Sequence, residues 1–395
     1  MRNSARDDVT HDPSRAEQLP AETDSPVQHD AINGGADVTQ TNGIQERLFD
    51  SGRIIYDPEY ESVLGLRETE VAIKFVKDRF QDALAEALNL ARVSAPMIVP
   101  SATGLNDHLD GIQKPIVFTV KSIGEQAEIV QSLAKWKRAA LADYGFECGE
   151  GLFTDMNALR PDEALDNLHS VYVDQWDWER IMRPDDRHVS FLREIVTAIY
   201  GAIRGLEAAV CDAFPALAEP FLPERIEFVH SQELENLYPD LSPRERENAI
   251  CREKGAVFVI GIGHHLESGI QHDDRAADYD DWISEDGDGR PGLNGDILVW
   301  YPVLQRAFEL SSMGIRVNAD SLRRQVALKH EEFKLDLPFH RALLGGDLPQ
   351  TIGGGIGQSR LCMMLLRKAH VGEVQASVWP EDMRAFCAEH GMKLL

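Results

Sequence analysis

The sequence predicts an α+β fold in which an antiparallel sheet is flanked by helices. Two observations lead to it. Apolar residues recur at helical spacing in several long segments, and β-branched runs cluster in pairs late in the chain, around residues 296–317. Paired late strands break the alternation of strand and helix that a doubly wound parallel sheet requires. No second apolar core follows residue 62, so residues 63–395 are expected to form one domain.

Residues 1–62 are rich in Asp, Ser, Thr, Gln, Gly and Pro and show no sustained periodicity. Such a segment buries too little apolar surface to offset its ordering entropy, and a disordered polar extension is expected. Val71, Phe75, Val76, Phe80, Leu84 and Leu88 then mark an amphipathic helix over about 67–90, and an extended piece containing Pro96 follows over 92–99. Further strands are expected over 114–120, 170–178, 226–230, 256–261, 296–301 and 308–317. Helices are expected over 132–144, 189–212, 243–254 and 359–369.

The formal net charge of −26 argues against a polyphosphate-backbone partner, because binding nucleic acid is driven by neutralising phosphates. No apolar run approaches the roughly 20 residues that cross a bilayer, and the acidic N-terminus lacks secretory or transit character. A cytoplasmic address is expected. The five cysteines are scattered without a C-x-x-C pair, which suggests neither a disulfide framework nor a zinc ribbon.

Several segments carry chemistry-bearing residues. In Thr351-Ile-Gly-Gly-Gly-Ile-Gly-Gln-Ser-Arg-Leu361, glycines let the backbone approach a ligand, and Arg360 lies just inside the following helix, which suits a phosphate or a purine. Taken alone, the run is more often a glycine-rich turn. Arg160, in Ala-Leu-Arg-Pro-Asp-Glu, stands where a strand end would project it. Asp296 and Glu309 lie on two strands that, paired as a hairpin, turn both carboxylates to one Mg²⁺. Period-two alternation assigns Glu309, Ser311 and Met313 to one face and Leu310, Ser312 and Gly314 to the other. The same parity separates Val173, Gln175 and Asp177 from Tyr172, Asp174, Trp176 and Trp178. The polar loop 104–111 and the basic helix 132–138 complete the set. His264 and His265 lack the second regular ligand pair that a zinc site needs.

In order along the chain, the strings SLAKWKR, ALRPDE, SVYVDQWDWER, DYDDW, LNGDILVW, FELSSMGIR and TIGGGIGQSR resemble those of the aspartate–ammonia ligases. These ammonia-dependent asparagine synthetases are related to class II aminoacyl-tRNA synthetases, and the resemblance runs from about Arg67 to Trp379. It implies a class II synthetase-like core, ATP as co-substrate, Mg²⁺, and L-aspartate and ammonia as substrates. It also implies a homodimer built on the first helix and the Pro96 strand.

By the same resemblance, Arg160 holds the α-phosphate and activated carboxylate. Gly355, Gly357 and Arg360 take the adenine and triphosphate, Arg316 adds a phosphate contact, and Asp296 and Glu309 bind the metal. Asp107, Ser132, Lys137, Gln175 and Ser312 line the aspartate pocket. Asp174, Asp177 and Asp280 are the candidates for binding ammonium and taking up its proton, with Asp177 and Asp280 assigned to catalysis. Gln131 stands where some relatives have His, and Ser359 precedes Arg360 where tRNA synthetases have Glu. A tRNA synthetase would need an anticodon-binding module, for which residues before Arg67 are too polar. A glutamine-dependent enzyme would begin Met-Cys, whereas Arg2 follows Met1 in this chain.

Overall fold

The long helix Leu66–Leu88 forms because Ala72, Val76, Phe80, Leu84 and Leu88 repeat every four residues and are all buried on one side. It ends where Asn89 adopts the left-handed conformation (φ 55°), which Asn tolerates better than most residues. A second long helix, Val189–Ala213, repeats the pattern through Leu192, Ile195, Val196, Ile199, Ile203, Leu206 and Val210. Both helices, with Gln358–Leu365, share one hydrophobic core with one face of the main sheet. The computed structural model describes residues 49–107, 114–285 and 289–395.

That sheet has eight strands, in spatial order Leu90–Arg92, Gly151–Leu159, Tyr172–Ile181, Thr351–Gly357, Arg306–Ile315, Asn294–Tyr301, Ala256–Ile260 and Glu227–His230. The six inner strands pair antiparallel, and each outermost strand pairs parallel with its neighbour. The strands Ile98–Pro100, Glu125–Ile129 and Val117–Val120 form a small separate sheet.

The expected strands and helices are present with ends shifted by a few residues. Three expectations need correction. The glycine-rich run, a turn if taken alone, is an inner strand, Thr351–Gly357, between Tyr172–Ile181 and Arg306–Ile315. Glycine is a poor strand former, but this position leaves no room for side chains. A Cβ on Gly354 would lie 2.5 Å from the Cβ of Met313, and one on Gly353 would lie 1.9 Å from Oε2 of Glu179.

Second, the parity expected within Arg306–Ile315 is interrupted. Leu298 lies opposite Glu309 but Ile297 lies opposite Ser311, so Leu310 is an extra residue, a β-bulge. The bulge turns Glu309 and Ser312 to the same face, while Leu310 and Met313 pack into the core.

Third, the packed chain begins before residue 62. Phe49–Asp50 pairs with Ile55–Tyr56, Ile54 is buried, and both backbone polar groups of Ile55 bond to the Asn167 side chain at 2.8 and 2.9 Å. Residues 1–48 of the expected extension lie outside the described residues.

Candidate active site

The face of the sheet opposite the long helices opens into a cleft. Alternation along Tyr172–Ile181 sends Trp176 and Trp178 into the core, with Trp176 packed on Phe80 at 4.7 Å between ring centroids. The same alternation presents Gln175, Asp177 and Glu179 to the other face. Opposite them lie Gly357, Gly355 and Gly353 of the glycine strand, whose missing side chains make the space. A Cβ on Gly355 would sit 2.4 Å from Oε1 of Gln175 and 2.7 Å from Oδ1 of Asp177.

The cleft encloses a cavity of about 470 Å³. Ser132, Lys137, Arg160, Gln175, Asp177, Asp280, Glu309, Ser312, Arg316, Gly355, Gly357 and Arg360 all line it. Most of the expected site residues, from six separate stretches of chain, are therefore brought together.

At one end, Lys137 reaches across from the helix Ala134–Asp143, donates to the carbonyl of Gly354 at 3.0 Å and lies 3.3 Å from Asp177. Burial first, and then Arg316, lowers the Lys137 pKa against the pull of Asp177. Arg316 donates to both oxygens of Glu179, the closest contact being 2.8 Å, and pairs with Asp280. Burial would lower the Arg316 pKa, but Glu179 and then Asp280 raise it. Most of the guanidinium is therefore engaged with these two carboxylates. Burial raises the Asp280 carboxyl pKa despite Arg316 and Arg275.

At the other end, Arg360 donates to the Glu309 carboxylate at 3.1 Å and to its carbonyl at 3.2 Å. Arg275 pairs with Asp296. Arg160 follows the strand Gly151–Leu159. Its Nη2 donates to the carbonyl of Gln131 at 3.4 Å, while its buried Nε has no protein partner. Burial first, and then Arg360 against Glu163, depresses the Arg160 pKa, as expected of a cation without a close counter-ion.

Asp296 and Glu309 are the carboxylates that would hold a divalent cation. Asp296 Oδ1 is buried without a hydrogen-bond partner. Burial pushes the Asp296 carboxyl up to about 7 against Arg275, and the charge of Glu309 adds to the rise. Burial also works to raise Glu309, but Arg360 and then Arg275 hold it below the usual range. Carboxylates are hard oxygen ligands, and of these two Asp296 is buried while Glu309 is partly exposed at the cavity wall, each already paired with an arginine. Among the described residues no group of three or more His, Cys, Asp or Glu is arranged for a metal, so the pair would be completed by phosphate oxygens and water.

Two expectations differ from the geometry. Asp107 does not line the cavity: it is fully buried and accepts a hydrogen bond from the backbone N–H of Ala134 at 2.6 Å, satisfying the start of the helix. Asp296 is also set back, behind Arg275. Asp174 reaches the cleft, but its oxygens hold Lys77 at 2.9 Å and the backbone N–H of Ser359 at 3.0 Å. Arg275 and Glu179 were not singled out from sequence. Glu179 continues the parity of Gln175 and Asp177 by one step, and Arg275 is an isolated cation in the acidic stretch 273–281, so both left a signal.

The family model for aspartate–ammonia ligase matches residues 67–391. Curated aspartate–ammonia ligases of Bacillus cytotoxicus and Bacillus cereus are each 56% identical over 335 residues, covering 85% of this chain and 99% of theirs. The chain belongs to the aspartate–ammonia ligase family.

The fold of the ligase is similar to that of class II aminoacyl-tRNA synthetases. The asparaginyl-tRNA synthetase of Entamoeba histolytica superposes with a TM-score of 0.57 at 14% identity, over 78% of this chain and 67% of its own. The asparaginyl-tRNA synthetase of Pyrococcus horikoshii, complexed with asparaginyl-adenylate, gives 0.52 at 16% identity, over 79% and 70%. These likenesses establish the class II fold. No helix among the described residues of this ligase is long and apolar enough to cross a membrane.

Proposed function

We propose that the chain makes L-asparagine from L-aspartate, ammonia and ATP through a β-aspartyl-adenylate, releasing AMP and pyrophosphate. The observation that carries the reading is one cavity with two chemically distinct ends, in a member of this family. Arg160, Arg275 and Arg360 gather positive charge beside the Asp296–Glu309 pair, which suits a triphosphate. Lys137, Gln175, Asp177 and Ser312 offer a compact polar pocket suited to a small amino acid.

In the first step an oxygen of the aspartate side chain forms a bond to the α-phosphorus, and the bond to the pyrophosphate oxygen breaks. Arg160 and Arg360 neutralise charge on the crowded phosphate and hold it in line with the carboxylate. Mg²⁺ held by Asp296 and Glu309 would supply further positive charge to the phosphate oxygens. Ammonia then bonds to the acyl carbon, the C–O bond to AMP breaks, and the nitrogen loses a proton. Asp280, made more basic by burial, is the acceptor this reading favours, with Asp177 and Lys137 orienting aspartate.

The reading includes a homodimer formed by the first helix and the Pro96 segment. Met97, Ile98, Val117 and Phe118 are exposed there, an apolar patch suited to burial. Sedimentation at micromolar concentration tests this: a dimer is expected, and a monomer overturns it. The activity is tested by AMP, pyrophosphate and asparagine release from ATP, Mg²⁺ and aspartate with ammonium, with glutamine, or with neither. Product with ammonium, lost in Arg160→Ala, supports the reading; product only with glutamine, or charging of tRNA, overturns it.

A further inference from the structure

Behind the aspartate end of the cleft lies a buried group of charges that the chemistry above does not use. Asp278, 1% exposed, accepts hydrogen bonds from Lys135 Nζ and His340 Nε2, each at 2.9 Å, with Lys334 Nζ at 3.8 Å. Lys135 also lies 3.7 Å from Oδ1 of Asp107, an oxygen with no hydrogen-bond partner.

These contacts close a ring. Lys135 is two residues before Lys137, which meets Asp177. Asp177 shares a strand face with Glu179, which is held by Arg316. Arg316 pairs with Asp280, which is two residues after Asp278, and Asp278 returns to Lys135. Every other ion pair in this ring includes residues of the cavity wall. The Lys135–Asp278 pair alone lies wholly outside it.

We propose that Asp278, acting through Lys135, is a positioning residue for the aspartate end of the cleft: it sets the separation between Lys137 on the helix and Asp280 on the facing segment. The inference rests on the reading that aspartate binds between those two. Burial alone would raise the Asp278 carboxyl pKa, but Lys135 and then His340 hold it far below the carboxylate range, so the pair is ionic. Without the Asp278 charge, the ion-pair partner left to Lys135 among the described residues is Asp107, at 3.7 Å. The first turn of the helix then loses its only ion pair to the facing segment among the described residues, and with it the restraint on the distance from Lys137 to Asp280.

The facing backbone has its own supports. Gln325 donates to the carbonyls of Ala277 and Asp280 at 3.0 and 2.9 Å, while Val317 N–H bonds to the Tyr279 carbonyl and Asp281 N–H bonds to the Ile315 carbonyl. The segment therefore stays in place when only the side chain charge is lost. A small displacement at a reacting site changes rate and affinity far more than it changes stability.

The test is the steady-state kinetics of Asp278→Asn in the full chain, reading KM for aspartate and for ATP separately. The aspartate KM should rise by about tenfold or more while the ATP KM stays within about twofold, because Arg160 and Arg360 lie on other segments. Lys135→Met should reproduce the split and Lys135→Arg should largely restore parent values. If Asp278→Asn does not fold, the Lys135 pair of variants decides. Both KM values unchanged, or both rising together with a lowered melting temperature, overturns the proposal. A parent enzyme that forms no asparagine would instead refute the proposed function and leave this comparison without a substrate, so the two failures are distinguishable.

Discussion

Gly354 and Gly355 are neighbours on one strand, yet alanine should damage the protein differently at each. At Gly354 the new methyl would lie 2.5 Å from the Cβ of Met313, 2.7 Å from the carbonyl of Ser312 and 3.1 Å from the Cα of Met313. Those atoms are rooted in the adjacent inner strand, so relief requires the strands to separate. Overpacking usually costs about 1–3 kcal/mol, and a clash with backbone in mid-sheet belongs at or above the top of that range. At Gly355 the methyl would instead meet Oε1 of Gln175 at 2.4 Å and Oδ1 of Asp177 at 2.7 Å. Both are side-chain ends, and Gln175 can swing aside for a rotamer cost of about 1 kcal/mol. Gly355→Ala should therefore fold with a loss of about 1 kcal/mol, but with asparagine formation reduced on the order of 10²-fold, because the displaced groups are those assigned to aspartate. Urea denaturation and an asparagine assay on the same preparations separate the two effects. Gly354→Ala at parent stability, or Gly355→Ala at parent activity, would refute the reasoning.

Other consequences follow from single contacts. Arg360→Ala should lower activity on the order of 10²–10³-fold and raise the KM for ATP, since it removes a cation and frees Glu309; steady-state assays check it, and Arg360→Lys should restore little because the planar fork is lost. Asp296 is raised from its ordinary range to about 7, so its protonated form is favoured by folding. That contribution is complete below the unfolded pKa of about 4 and is lost as pH rises through about 7. In the nucleotide-free protein, Asp296→Asn should therefore gain stability relative to the parent between about pH 5 and pH 8, as read by denaturation midpoints. Asn167→Ala should cost about 3 kcal/mol in the same assay, because the buried amide bonds to Ile55 N, Ile55 O and Ala369 O at 2.8, 2.9 and 2.7 Å.

What could be read from sequence depended on whether the signal was local. Parity along residues 171–178 separated Gln175 and Asp177 from the buried tryptophans because the strand is regular there. The long helices were legible because their apolar faces repeat over many turns. The bulge at Leu310 was not, since an extra residue exists only relative to a partner strand. That Thr351–Gly357 is a strand was not legible, because its glycines report on Glu179, Met313 and Gln175, which lie far away in sequence. Asp107 was assigned to the pocket, whereas one of its oxygens accepts a hydrogen bond from the start of a helix 27 residues further on, a contact that no local pattern signals. The strand Gly151–Leu159 was missed because Thr154, Asp155 and Asn157 interrupt its apolar pattern, although it delivers Arg160 to the cleft.

The most direct test of the central chemistry follows an oxygen. Aspartate labelled with ¹⁸O in its side-chain carboxylate is incubated with the enzyme, ATP, Mg²⁺ and ammonium, and the nucleotide product is weighed by mass spectrometry. Attack of the carboxylate on the α-phosphorus requires one labelled oxygen in AMP for each asparagine formed. Unlabelled AMP, or label in inorganic phosphate released with ADP, would contradict an adenylate intermediate and, with it, the roles of Arg160 and Arg360 at the α-phosphate.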